Sequence, residues 1–154
     1  MGEALIETIS SGTGPHVFRL SDDQYRFYWP RIETELDKVP HIWQPFFTRE
    51  YLRDIPLHQE LTVWEAGVNG AITIVIFAQF IHTPRGHGIS FRLALGNGLD
   101  KVLPQLEATF EYIAQLMECD YVEIMGRGGW QRKLPGFKRD YVVMSKQLRS
   151  FKVQ

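Results

Sequence analysis

The sequence has one cysteine, almost no net charge and no long apolar run, and each shortage removes a class of protein. Cys119 has no second thiol to pair with, so no disulfide forms within the chain, which fits a reducing compartment. Placed at the end of an apolar helical stretch, it reads as a small buried hydrophobe rather than a nucleophile. Seventeen Lys and Arg against eighteen Asp and Glu give a formal charge of -1. No global field therefore steers the protein onto nucleic acid or an acidic membrane, and any such contact needs a local patch. The longest apolar run, Ala71 to Ile81, is interrupted by Gln79 and falls well short of the roughly 20 residues of a membrane-spanning helix. The opening MGEALIETIS is acidic, without the layout of a signal peptide, and has Ile6 where a myristoylation motif wants Ser or Thr. These features predict a soluble, cytoplasmic chain. His16, His41, His58, His82 and His87 show no helical pairing or carboxylate grouping, so no metal is expected. Walker-type loops, Gly-x-Ser-x-Gly elbows and Cys/His pairs are missing as well.

What is present suffices for one core. The 154 residues are 44% apolar and 13% aromatic, which predicts a single domain over residues 1 to 154. A short strand is expected over His16 to Leu20. Ser21 can cap a helix carrying Tyr25, Tyr28, Trp29, Ile32, Leu36 and Val39 at spacings of three and four, with Pro40 as its stop. Thr48 offers a second cap for Arg49 to Ile55, stopped by Pro56. The period then changes. Thr62 to Ala66 and Ala71 to Phe80 are β-rich runs around Asn69-Gly70, a hairpin signal, and the turn Thr83 to Gly88 leads into the alternating run Ile89 to Leu95. From Gly96 the helical period returns, with Leu99, Val102, Leu103, Leu106, Phe110, Ile113, Ala114 and Met117 on one stripe. Pro104 belongs in a first turn, which places the helix start near Asp100. A strand Tyr121 to Met125, a short helix Trp130 to Leu134 and a strand Arg139 to Leu148 complete the pattern.

The expected fold is therefore α/β (α+β): an antiparallel meander passing through a right-handed βα crossover into a mixed sheet with helices on both faces. This order, with the closing segment GWQRKLPGFKRDYVVMSKQL and its Gly-Phe pair before the last strand, resembles the Gcn5-related N-acetyltransferase (GNAT) family. The segment Gly126-Arg127-Gly128-Gly129-Trp130 is also similar to one in small, divergent acetyltransferase-like proteins of tailed bacteriophages. The resemblance implies an acyl-CoA-dependent N-acyltransferase using acetyl-CoA and an amine acceptor. Its alternative is a non-catalytic relative, a virion-associated or host-interaction protein that binds a protein partner. Edge strands leave a homo-oligomer open.

In that family a strand splays ahead of the long helix, pantetheine fills the gap, and main-chain amides of an Arg/Gln-x-x-Gly-x-Gly/Ala loop hold the pyrophosphate. The corresponding stretch here is Arg92-Leu93-Ala94-Leu95-Gly96-Asn97-Gly98, with its Gly-x-Gly one residue further from the arginine. The cofactor-binding candidates are Leu93, Leu95, Gly96, Asn97, Gly98 and Arg132, and the plain alternative is a tight β-to-α turn. Asp100 is placed to cap the same amides, where its carboxylate would repel a pyrophosphate. The family's usual acid, a tyrosine, is replaced at its position by Arg132, which cannot release a proton, so Tyr141 is the candidate acid. Glu65 and Glu123, carboxylates in apolar strands, are the base candidates. Arg127, Arg132, Lys133, Lys138 and Arg139 form a local cluster of five positive charges, readable as a solvated loop, a contact to CoA phosphates or an acidic partner's footprint. A nucleic-acid module rests on that cluster alone. Trp130 and Phe137 read as apolar anchors of that joint, and the aromatics Tyr25, Tyr28, Trp29, Trp43, Phe46 and Phe47 with His41 as core, acceptor pocket or interface.

Overall fold

The computed structural model describes residues 15–68, 71–96 and 99–125, together with residues 146 and 148. In chain order the elements are β1 (Pro15–Arg19), α1 (Asp22–Lys38), α2 (Pro40–Trp43), α3 (Arg49–Arg53), α4 (Ile55–His58), β2 (Thr62–Val68), β3 (Ala71–Thr83), β4 (Gly86–Gly96), α5 (Leu99–Leu116) and β5 (Tyr121–Ile124). The short helix and last strand expected after residue 125, with Trp130 and Phe137, lie outside the described residues.

The start of α1 is fixed by reciprocal bonds. Ser21 Oγ accepts from the Gln24 amide at 3.2 Å, and Gln24 Oε1 accepts from the Ser21 amide at 2.8 Å. Two amides that the first turn would leave unpaired are satisfied this way. Asp22 and Asp23 in the first turn and Lys38 in the last complement the helix dipole. The helix buries Tyr25, Ile32 and Leu36, and full burial of Ile32 and Leu36 contributes about 1.5–3 kcal/mol each. Pro30 lies inside this helix on its exposed side; lacking an N–H, it leaves the Arg26 carbonyl without its helical donor.

α1 ends at Lys38, just ahead of Pro40 as expected, whereas Pro56 does not end α3, which stops at Arg53. Pro40 is the first residue of α2, and Pro56 sits in the first turn of α4. Both positions suit a residue with no amide to offer, because first-turn amides have no intrahelical acceptor. Thr48 caps α3 as its sequence predicts, accepting from the Tyr51 amide at 3.1 Å, but α3 ends at Arg53 rather than Ile55.

The five strands lie in the order β1-β2-β3-β4-β5. All neighbours are antiparallel except β4 and β5, which are joined by α5 and run parallel. Val68 pairs with Ala71 around residues 69–70, as the Asn-Gly hairpin requires. The next turn is tighter than its sequence suggests. Thr83 pairs with Gly86, so Pro84 and Arg85 alone connect β3 to β4. The helix α5 begins at Leu99, which makes Asp100 its second residue rather than its cap and puts Pro104 in its second turn.

Period-2 alternation sends β-strand side chains to two cores. Trp64, Ala66, Ile74, Ile76, Ala78, Ile89 and Phe91 pack with Phe110, Ile113 and Ala114 of α5. Val63, Phe77, Leu93 and Leu95 pack on the opposite face with Tyr25, Ile32, Leu36, Trp43, Leu52 and Ile55 of the first four helices. The sheet is thus covered on both sides, the α/β architecture expected from sequence. No helix among the described residues is long and apolar enough to cross a membrane.

Candidate active site

The register of β4 breaks at one residue. Leu93 pairs with Phe77 and Phe91 with Ala78, so Arg92 is an extra residue bulged out of β4. A bulge bends its strand and increases the local twist. Pairing with β5 covers only Gly88 to Phe91, followed by one bond from the Met125 amide to the Phe91 carbonyl at 3.1 Å. β4 continues from Arg92 to Gly96 beside β3 alone among the described residues. The bulge coincides with the last β4–β5 pairing among the described residues.

Four polar side chains gather there on the face covered by α1 to α4. Ser90 and Glu123 are register partners, and the Ser90 hydroxyl donates to Glu123 Oε1 at 3.0 Å. Ser90 is 1% exposed, so its hydroxyl needs a partner within the protein, and Glu123 supplies it. Gln79 pairs with Ser90 on the other side, and its Oε1 accepts from Arg92 Nη1 at 2.7 Å. The Arg92 guanidinium lies 5.8 Å from the centre of the Phe47 ring. From there Phe47 stacks on Tyr51 and Tyr51 on His58, with centroids 5.9 and 4.8 Å apart. Tyr51 donates to Glu60 Oε2 at 2.7 Å, and burial followed by this bond pushes its hydroxyl up to about 12. The result is a carboxylate at the strand junction beside a wall of rings carrying one guanidinium.

The sequence candidates are distributed unevenly over this geometry. Glu123 is at the junction. Glu65 is not: it pairs with Val75, which pairs with Leu95, so it lies two strands from β4 and three residues along β3 from the Ala78 row of the bulge. With strands about 4.8 Å apart, that offset alone puts it about 10 Å from β4. It is buried, and desolvation raises its pKa, opposed by the positive charge of Arg31. Leu93 and Leu95 point their side chains into the helix-covered core at 5% and 3% exposure, leaving only their main chain for a ligand. Gly96 has φ 143°, a left-handed conformation that favours glycine. Asn97, Gly98, Arg132 and Tyr141, and the cluster Arg127, Arg132, Lys133, Lys138 and Arg139, lie outside the described residues.

Ser90, Gln79, Tyr51, His58 and Glu60 were not singled out as site residues by sequence reasoning. The signal for Ser90 was a lone hydroxyl at an inward position of a strand whose neighbours are large hydrophobes. The aromatic region divides: Tyr25 and Trp43 are core at 2% exposure, while Phe46 and His41 face solvent.

This arrangement of elements recurs in solved acetyltransferases. A GNAT family acetyltransferase from Staphylococcus aureus superposes with a TM-score of 0.63 at 11% identity, over 88% of this chain and all of that one. An aminoglycoside acetyltransferase from an uncultured soil metagenomic sample gives 0.61 at 10%, over 88% and 97%. An AAC(6')-Iy structure in complex with a bisubstrate analogue, CoA-S-monomethyl-acetylneamine, gives 0.59 at 12%, over 90% and 100%. No family model and no curated protein matches the sequence. At these identities the likeness establishes the fold: the chain has the GNAT acetyltransferase fold.

Proposed function

We propose that the protein is an acyl-CoA-dependent N-acyltransferase whose carrier lies along β4 beyond Phe91 and whose amine acceptor enters from the side of α1 to α4. The observation that supports this is the coincidence of the Arg92 bulge with the last β4–β5 bond among the described residues, because main-chain groups on an edge that no strand takes up would be available to a ligand. Leu93, Leu95 and Gly96 would hold the carrier through their backbone, with Asn97, Gly98 and Arg132 as further candidates toward its phosphates. When bound, acyl-CoA supplies an acyl group activated as a thioester.

Glu123 takes the proton of the acceptor amine, with one carboxylate oxygen fixed by the Ser90 hydroxyl. Arg92, tied to Gln79 and packed over Phe47, shapes the acceptor side, and Phe47 and Tyr51 give it an apolar wall. Tyr141 is proposed as the acid that returns a proton to the leaving thiolate. Glu65 is offered as a base only through a relay, given its distance from β4.

The test is thiol release from acetyl-CoA with a panel of primary amines, comparing the protein with Glu123→Gln. Amine-dependent release that falls about 100-fold or more in the variant supports the assignment; release unchanged by the substitution removes Glu123 from the chemistry. A second reading, a non-catalytic relative that binds a protein partner in a host or virion setting, is favoured by one observation. Phe27, Phe46 and Leu57, on or beside α1, α2 and α4, are 79%, 60% and 73% exposed. Amine-dependent turnover would remove it.

A further inference from the structure

At the opposite end of β4 the tip of the β3–β4 hairpin carries two histidines. His82 and His87 are register partners. The His87 amide donates to Asp120 Oδ2 at 2.8 Å, and its carbonyl accepts from the Asp120 amide at 2.6 Å. Both main-chain groups of His87 are therefore turned toward the loop before β5 and away from β3. This is a non-hydrogen-bonded cross-strand pair, the kind in which facing side chains approach most closely. The two rings lie 4.4 Å apart with their planes 33° apart, and the two Nδ1 atoms are separated by 3.3 Å. His87 also stacks on Phe80, centroids 5.8 Å apart, which fixes its plane.

We infer that His82 and His87 form a two-histidine binding site for a divalent transition metal of the zinc type. Two imidazole nitrogens, each about 2.05 Å from one tetrahedral ion, lie about 3.3 Å apart, which matches the observed Nδ1 separation. The same separation also admits a direct N–H···N hydrogen bond between the two rings, which a bound ion would replace. Imidazole suits zinc, copper and nickel. His82 is exposed and His87 half-buried, so the ion can enter from solvent and keep water in its remaining positions.

The surrounding charges agree with a cation. Asp120 is held against His87. Arg85, the nearest cation in sequence, is drawn 4.4 Å over the ring of Tyr121, which sits across from Gly88 on the other face of the sheet. Among the described residues no third His, Cys, Asp or Glu completes a ligand group, so the ion is held at two points. The sequence spacing had given no reason to expect a metal, because the pair is made by a tight hairpin and not by a helical or CxxC-like repeat.

The test is a titration of the full chain with zinc chloride, followed by calorimetry and by the ring nitrogen resonances of the histidines. One equivalent should bind, shifting the Nδ1 signals of His82 and His87. Either His82→Ala or His87→Ala should weaken binding at least 10-fold with an unchanged circular dichroism spectrum, while His58→Ala binds as the parent does. The inference is overturned if no zinc binds, or if it binds equally well to the two single variants.

Discussion

Ser90 has a buried hydroxyl, and it is tolerated there because Glu123 accepts its hydrogen bond across the β4–β5 pair. Ser90→Ala should therefore reduce acyl transfer less than Glu123→Gln does, with the loss in kcat rather than in stability, since the carboxylate remains but loses its fixed orientation. Tyr25 is a different buried hydroxyl. It donates to the Leu52 carbonyl, tying α1 to α3, and burial raises its pKa. Tyr25→Phe leaves that carbonyl without its partner and should cost about 1–3 kcal/mol in chemical denaturation. Glu65 sets a pH dependence. Its pKa is raised above the usual 4.5 in the folded state, so between 4.5 and the raised value the native chain holds a proton that the unfolded chain has released. Its contribution is complete below 4.5 and declines as pH rises through the folded-state pKa. Glu65→Gln should remove that decline: the variant gains stability relative to the parent between acid and neutral pH, a trend visible in denaturation midpoints across that range.

At the scale of elements, close packing of β4 and β5 depends on Gly88. A Cβ there would lie 2.5 Å from Cζ of Tyr121, whose ring covers the glycine and whose hydroxyl is 2.9 Å from Thr83 Oγ1. Gly88→Ala should destabilise the fold by about 1–3 kcal/mol, and in a double-mutant cycle with Tyr121→Ala the two losses should sum to more than the measured total, because the second change removes the clash created by the first. Such long-range contacts are where sequence reasoning stops. The capping residues Ser21 and Thr48, the Asn-Gly hairpin and the stripe Tyr25, Ile32, Leu36 were legible because each is decided by neighbours a few residues away. Pro56 was misjudged for the same reason: its one local effect, removing an amide, serves to start a helix as well as to stop one. The Arg92 bulge was not legible, since register belongs to two strands together, and so Gln79 and Ser90 gave no sign that they meet Arg92 and Glu123.

For the whole molecule, the order of elements was enough to predict a mixed sheet with helices on both faces, and the GNAT fold follows that order at 8 to 12% identity. Topology survives at such identities because it needs only the hydrophobic period and the turns, whereas function belongs to the site. Of the residues singled out from sequence, Glu123 lies on β5 opposite Ser90 of β4, and the sheet order sets Glu65 two strands from β4. The proposed link between fold and function is the stretch of β4 from Arg92 to Gly96, which among the described residues pairs with β3 alone. Calorimetric titration with acetyl-CoA measures this directly. One equivalent binding with micromolar Kd is the expected result; no heat with the cofactor raised to millimolar concentration would contradict a carrier site there.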